Sequence, residues 1–145
     1  MISPYTTLTD LSRALEIGDI SSRDIVTACL DRVRTHNGTL QAFCEVYEDT
    51  ALAAAEGMDR LRAAGIRLGP LHGLPIALKD LIEWEGHGCE FGSLSMAGRK
   101  AKGTARALQR LLHAGMIPLG RTEMVEFAFG GWGTNQMRGT PRNPL

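Results

Sequence analysis

Apolar residues recur at helical spacing through the first part of the chain. In "TDLSRALEIG" this spacing predicts a helix with Thr9 as its N-cap and Gly18 as its end. In "SSRDIVTACLDRVRTHNG", Ser21 and Asp24 match a capping box, and the dipeptide at 37–38 predicts the end of a second helix. One face of this second helix is apolar: Ile25, Val26, Cys29, Leu30 and Val33.

The pattern then changes to a short strand followed by a third helix. "QAFCEVY" is typical of a strand, and "EDTALAAAEGMDRLRAAG" has the Ala and Leu content of a helix that ends at Gly65. Residues 1–68 are therefore predicted to be mainly helical.

Residues 69–145 alternate between strands and a helix. "GLPIALK" and "MIPLGRT" predict short strands, the first of them buried, and "EMVEFAF" predicts a helical turn. Between the strands, "KAKGTARALQRLLHAG" predicts a helix that ends at Gly115 and turns four residues inward: Ala105, Leu108, Leu111 and Leu112. This order favours a right-handed crossover and a largely parallel or mixed sheet, in a single α/β domain over residues 1–145.

Composition excludes several classes of protein. The chain has 145 residues, 43% of them hydrophobic, and its sixteen basic residues balance sixteen acidic ones. Zero net charge gives no reason to expect nucleic acid or an anionic membrane as a partner, and no apolar run approaches the ~20 residues of a membrane span. Three widely spaced cysteines and an N-terminus without signal-peptide features indicate a cytoplasmic protein.

Lys79 is the first candidate for chemistry, because the apolar run "GPLHGLPIAL" leads directly to it. One interpretation is a lysine whose stem packs on the core while its amine reaches water. The other is a buried amine, which burial would make easier to deprotonate and able to accept a proton. Asp80 would keep Lys79 charged if the two formed an ion pair, so Asp80 is interpreted as structural.

Other candidates are weaker. His87 and Cys89 have no second pair at ligand spacing, so a metal site is not expected. Ser93 and Ser95 in "FGSLS" do not form a G-x-S-x-G motif. The stretch "FGGWG" is either a glycine turn with Trp132 in the core or a backbone wall for a flat ligand.

Several blocks together resemble the amidase signature family of serine hydrolases. They are "GPLHGLPIALKD", Gly86, the "GS" at 92–93, "LLHAGMIPLGRTEMVEFAFGG" and "GTNQMRGTPRNP". The resemblance extends from about Gly69 to Leu145. The chain departs from the family's usual residues at three positions: Cys89 replaces Thr, Arg121 replaces Lys and Glu123 replaces Asn.

The resemblance implies a Ser–cis-Ser–Lys triad in which Lys79 is the lysine. Lys79 would take a proton from the cis-serine, which takes one from the nucleophilic serine that attacks a carboxamide. In the family both serines, and the backbone of the oxyanion hole, follow the "NP" block, so the chain would be the N-terminal portion and would be inactive alone. The family also implies that the segment at Ala128, Phe129, Gly130 and Gly131 borders the substrate.

The expected partners are a small-molecule amide and the remaining C-terminal part of the amidase domain. No cofactor, metal, nucleic acid or membrane is expected, and a homo-oligomer stays open. Two alternatives also remain open. One is a catalytically dead remnant that acts as a binding or assembly piece. The other is part of the glutamine-hydrolysing subunit of a tRNA-dependent amidotransferase.

Overall fold

A computed structural model describes residues 2–144, so Met1 and Leu145, the ends of the domain predicted over 1–145, lie outside the described residues. Within that range four helices and three strands form an α/β fold. The elements are α1 (Leu8–Ile17), α2 (Ser22–Leu40), β1 (Phe43–Val46), α3 (Glu48–Ala63), β2 (Pro75–Lys79), α4 (Arg106–His113) and β3 (Ile117–Thr122). Two short 3₁₀ turns, Leu94–Met96 and Glu126–Ala128, lie between and after these elements.

The N-terminal caps follow local side-chain chemistry. The N-cap of α1 is Thr7 rather than the predicted Thr9, because the Thr7 hydroxyl accepts the Asp10 N–H. The end at Gly18 is confirmed, with φ of 76°. The capping box of α2 is also confirmed: Ser21 accepts the Asp24 N–H, and the Asp24 carboxylate accepts the Ser21 N–H.

The predicted end of α2 is wrong, since the helix continues to Leu40. The Asn37 side chain donates to the Phe43 carbonyl and accepts the Phe43 N–H, so it fixes the start of β1 instead of ending the helix. Gln41 takes the left-handed conformation that closes α2, with φ of 49°.

The sheet is mixed and has the order β1–β3–β2. Strand β2 pairs parallel to β3, whereas β1 pairs antiparallel to it. Strand β3 is buried over residues 117–121, but β2 is not the buried strand that was predicted: only Leu78 is buried in it, because β2 is an edge strand of the described sheet.

Helix α4 begins at Arg106, later than the sequence pattern predicted. The residues before it pair as extended backbone: Ala101 bridges Glu85, and Lys100 bridges Gly88. Those bridges use the backbone groups that a longer helix would need. Ala105, expected to face inward, precedes the helix. Of the other residues expected to face inward, Leu108, Leu111 and Leu112, only Leu108 is fully buried.

The apolar core lies between the helices and the sheet. One cluster joins α2, α3 and β3: Val26, Leu30, Ala51, Ala55, Ile117 and Leu119. A second joins α1, α2 and the approaches to β2 and β3: Leu15, Ile25, Leu74 and Met116. Full burial of each large aliphatic side chain contributes about 1.5–3 kcal/mol, so these clusters hold β3 and the starts of β2 and β3 against the helices.

Candidate active site

Lys79 is the last residue of β2 and pairs with Thr122, the last residue of β3. Because the two strands are parallel, both carboxyl ends meet at one edge, where ligands of open α/β sheets commonly bind. The Lys79 side chain is exposed among the described residues. Its position fits the interpretation in which the stem follows the sheet and the amine reaches water.

Asp80 points away from that edge into the molecule. It is 0% exposed, and its carboxylate accepts the backbone N–H groups of Glu90 and Gly92, each at 3.0 Å. It also pairs with Arg121 and lies 3.8 Å from the Arg138 guanidinium. Within residues 2–144 no ion pair joins Asp80 to Lys79, so Asp80 has the structural surroundings expected of it.

Asp80 belongs to a charge cluster of six residues: Glu45, Asp80, Glu90, Arg121, Glu123 and Arg138. Burial lowers the pKa of Arg121, but the Glu45 hydrogen bond and the Asp80 charge outweigh it, so the pKa lies above its usual value. Burial would raise the pKa of Glu90, but the Gly98 N–H and Arg138 outweigh it and hold the pKa below normal.

Glu123 is the exception in this cluster. Burial raises the pKa of its carboxyl, and Arg138 counteracts that effect only in part, with Nε at 3.9 Å from Oε1. The other oxygen, Oε2, is buried and has no hydrogen-bond partner among the described residues. The sequence did not predict this cluster. The departures from the family at Arg121 and Glu123 were the only local signals that pointed to it.

A cavity of about 390 Å³ lies beside Lys79. This Lys79 cavity is lined by Lys79, Glu123, Met124, Gly130, Trp132 and Pro141, among others. It brings Gly130, one of the four predicted substrate-binding residues, to the same opening as the lysine.

The other three predicted residues are placed differently. Phe129 lines a neighbouring cavity of about 730 Å³, together with Phe127 and Met137. Ala128 and Gly131 are exposed and line neither of these two cavities. The alternative in which Trp132 is a core residue is wrong, because Trp132 is 92% exposed and Phe129 is 90% exposed.

The backbone of this stretch is strained. Phe127 and Ala128 have φ values of 50° and 57°, in a region that side chains other than glycine rarely adopt. A Cβ at Gly130 would lie 2.9 Å from Val125 Cγ2, whereas one at Gly131 would have nothing within 4 Å. The two glycines of the pair therefore differ: a side chain at position 130 would clash with Val125, whereas one at position 131 would meet open space.

The remaining sequence candidates have local structural contacts. Ser93 is fully buried, donates to Glu126 at 2.6 Å and accepts the Ser95 N–H. His87 stacks on Trp84, with ring centroids 3.7 Å apart. Within residues 2–144 no group of three or more His, Cys, Asp or Glu side chains is arranged to hold a metal ion. Over the same residues, none of the helices is both long and apolar enough to cross a membrane.

Comparison with known proteins identifies the class. The Amidase family model matches residues 24–145, and the chain belongs to this family of amidase signature enzymes. The chain is 37% identical over 140 residues to a protein of Chloroflexus aurantiacus that is named as one of the subunits of glutamyl-tRNA(Gln) amidotransferase. It is 39% identical over 137 residues to a protein of the same name from Azoarcus sp.. These matches cover 97% and 94% of this chain, but only 29% and 28% of the relatives.

Solved structures have the same fold over this range. The native peptide amidase of Stenotrophomonas maltophilia aligns with a TM-score of 0.86 and 33% identity, over 97% of this chain and 30% of that one. A chain from a vestigial complex studied for the origins of an s-triazine catabolic enzyme aligns with a TM-score of 0.91 and 34% identity, over 96% and 31% of the two chains. The chain thus spans about 30% of the length of the relatives that it matches.

Proposed function

We propose that this chain supplies the terminal base, Lys79, of an amidase that hydrolyses a carboxamide to an acid and ammonia or an amine. The observation that carries the proposal is the position of Lys79. It is exposed at the carboxyl edge of the sheet beside a cavity, and Asp80, its neighbour, is engaged with Arg121. Among the described residues Asp80 therefore does not engage Lys79 in an ion pair, and the amine stays available beside the cavity.

In the proposed reaction the neutral Lys79 amine accepts a proton from a bridging serine, which accepts one from the nucleophilic serine. The nucleophile Oγ attacks the amide carbonyl carbon, the C–N bond breaks, and the amine leaves with a proton. Water then hydrolyses the acyl-serine and releases the acid. Both serines would be supplied by polypeptide corresponding to the part of the relatives that this chain does not match.

The test uses two samples. We expect purified residues 1–145 to hydrolyse no simple amide above background, because a base without a nucleophile contributes little. We expect a chimera, with residues 1–145 followed by the unmatched part of the Chloroflexus aurantiacus relative, to hydrolyse amides. Lys79→Ala should abolish this activity, and Lys79→Arg should not restore it, since arginine stays protonated.

The outcomes separate the alternatives. Near-normal rates in the Lys79→Arg chimera would show that Lys79 is not the base. A folded chimera that is inactive, while the intact relative is active, would favour a remnant that serves as a binding or assembly piece. Hydrolysis by residues 1–145 alone, dependent on Lys79, would also contradict the proposal.

Ala128, Phe129, Gly130 and Gly131 are proposed as one wall of the acyl pocket. Gly130 is the member with direct support, because it lines the cavity of Lys79. Its exposed neighbours, Phe129 and Trp132, offer apolar area beside open backbone, which is the usual composition of a small-molecule site. A change in acyl preference without loss of folding in Phe129→Ala, measured in the chimera, would support this role.

A second candidate function is hydrolysis of glutamine within an amidotransferase. The names of the curated relatives favour it, at 37% and 39% identity. Comparison of glutamine with simple aliphatic and aromatic amides as substrates of the chimera would distinguish the two, provided that the relative's own preference is measured in parallel. In either case we place the protein in the cytoplasm, an assignment supported by three free cysteines.

A further inference from the structure

The segment over residues 125–134 is a loop whose two ends lie side by side. At its base the Asn135 side-chain amide donates to the Met124 carbonyl at 2.9 Å, so the residues that flank the loop are joined directly. Surface loops closed in this way are Ω-loops, and they frequently carry function. Four of the residues that line the Lys79 cavity come from this loop: Val125, Gly130, Trp132 and Gly133.

Asn135 also joins the loop to the turn beside Lys79. Its amide donates to the Gly92 carbonyl at 2.7 Å, and the Gly92 N–H donates to the Asp80 carboxylate at 3.0 Å. Asp80 directly follows Lys79 in the chain. The turn is closely packed, because a Cβ at Gly92 would lie 2.7 Å from the Met124 carbonyl oxygen. Two hydrogen bonds therefore connect the residue next to Lys79 with the residue that closes the loop.

These contacts require an amide at position 135. The Asn135 Nδ2 group faces two carbonyl oxygens, whereas Oδ1 accepts the N–H groups of Met137 and Arg138 at 3.2 and 3.1 Å. The residue is only 5% exposed, so water does not readily replace a lost partner. A carboxylate of the same shape keeps the acceptor but has no hydrogen to donate. The donor side of Asn135 thus closes the loop, and its acceptor side holds the turn that follows.

We infer that Asn135 is a positioning residue of the candidate site: its amide closes the loop over residues 125–134 and so holds Gly130 and Trp132 in place beside Lys79. It acts on a substrate through this loop and not by contact with the reacting atoms. Placement of a pocket wall matters because a shift of about 1 Å can cost about a hundredfold in rate. The effect of Asn135 on turnover rests on the proposed function, whereas its effect on the loop does not.

Hydrogen exchange of purified residues 1–145, followed by mass spectrometry, tests closure of the loop without any enzymatic activity. Asn135→Asp keeps an acceptor for Met137 and Arg138 but removes the donor that closes the loop. We expect the amides of residues 125–134 to exchange about tenfold faster in this variant, since each lost hydrogen bond changes a local opening equilibrium by a factor of several. The amides of α3, which packs on the apolar core, should keep their rates.

The chimera measures the effect on a substrate. Asn135→Asp should raise KM for an amide about tenfold or more and leave kcat within about threefold, because a displaced wall weakens ground-state and transition-state binding alike. The matched control is Asn37→Asp. The Asn37 amide also bonds backbone on both sides, donating to the Phe43 carbonyl at 2.9 Å and accepting its N–H at 2.8 Å, but it lies in α2. This variant should lower the unfolding free energy and leave KM unchanged.

Unchanged exchange over residues 125–134 in a folded Asn135→Asp chain would overturn the inference. So would an equal rise of KM in Asn135→Asp and Asn37→Asp, since both changes would then act through general stability. If Asn135→Asp does not fold, Asn135→Ala removes the donor without burying a charge and is measured in the same way. A chimera without Lys79-dependent activity would contradict the proposed function alone, and hydrogen exchange would still decide whether Asn135 closes the loop.

Discussion

Helices α1–α3 and the segment over residues 80–138 distribute their side chains in opposite ways. In the helices the large aliphatic residues are buried, as at Val26 and Leu30, and charged residues such as Arg34 are exposed. In the later segment Asp80 is fully buried, while Phe129 and Trp132 are about nine-tenths exposed. The first distribution stabilises a fold, whereas the second concentrates charge and apolar surface around one edge of a sheet.

The difference shows that the side chains that form the apolar core and those that surround the candidate site lie in different parts of this chain. Apolar burial in the helices depends on local periodicity and needs no particular partner. Buried charge requires a matched set of partners, and removal of one leaves the others uncompensated. Substitutions in the two regions should therefore destabilise the folded chain by different mechanisms.

The largest effect is expected at Asp80. Asp80→Asn keeps the size of the side chain but leaves Arg121 with only Glu45 as a counter-ion, and loss of one partner of a buried pair costs about 3–5 kcal/mol. Urea unfolding of residues 1–145 measures the change. Glu85→Gln, on the exposed surface of the same loop, should change the free energy of unfolding by less than about 0.5 kcal/mol. Equal losses of unfolding free energy in the two variants would show that the buried Asp80–Arg121 pair stabilises the chain no more than an exposed carboxylate does.

The second prediction compares an apolar side chain from each region. Leu30→Ala removes a side chain that is 3% exposed in the core, and should cost about 2–5 kcal/mol. Phe129→Ala removes a larger side chain that is 90% exposed, and should cost less than about 0.5 kcal/mol. Both are measured by thermal and urea unfolding. A large loss of stability in Phe129→Ala would place this aromatic in the core of the folded chain.

The third prediction separates the two glycines of the later segment. Gly130→Ala forces Val125 to move, since the new Cβ would lie 2.9 Å from its Cγ2, and should destabilise by about 1 kcal/mol. Gly131→Ala meets open space and should be neutral within about 0.5 kcal/mol. The difference between the two unfolding midpoints is the measurement. If Gly131→Ala were the more destabilising change, the backbone of this turn would differ from the one described.

The sequence predicted the helical region better than the charged one, and the reason is distance along the chain. The capping box of Ser21 and Asp24 lies within three residues, and the apolar face of α2 within one helix. By contrast, Asp80 and Arg121 are 41 residues apart, and Glu90 and Arg138 are 48 apart. No local pattern specifies which buried acid meets which base. Lys79 and the α/β order were found by motif and alternation, but the exposure of Lys79 depends on β2 being at the edge of the sheet.

The last and smallest effects concern pH, and the two regions should respond with opposite sign. In α2 the Ser21 hydroxyl and N–H lower the pKa of Asp24. The folded state therefore binds fewer protons there than the unfolded chain, so the stability due to Asp24 is present above its usual pKa of 3.8 and is lost as pH falls through the folded value. Burial raises the pKa of Glu123 above 4.5. Its contribution is present below 4.5 and is lost as pH rises through the folded value.

Unfolding free energies of the wild type and two variants at pH 3, 5 and 8 test this contrast. Asp24→Asn should be destabilised relative to the wild type at pH 8, and the difference should shrink as pH falls towards 3, because Asp24 becomes increasingly protonated. Glu123→Gln should become more stable relative to the wild type as pH rises from 5 to 8, because only the wild type then holds an unpartnered charge behind Lys79. A Glu123→Gln difference that is constant with pH would mean that Glu123 has the same pKa in the folded and the unfolded chain. The charge cluster would then compensate Glu123 fully, and the contrast in pH response between the two regions would be absent.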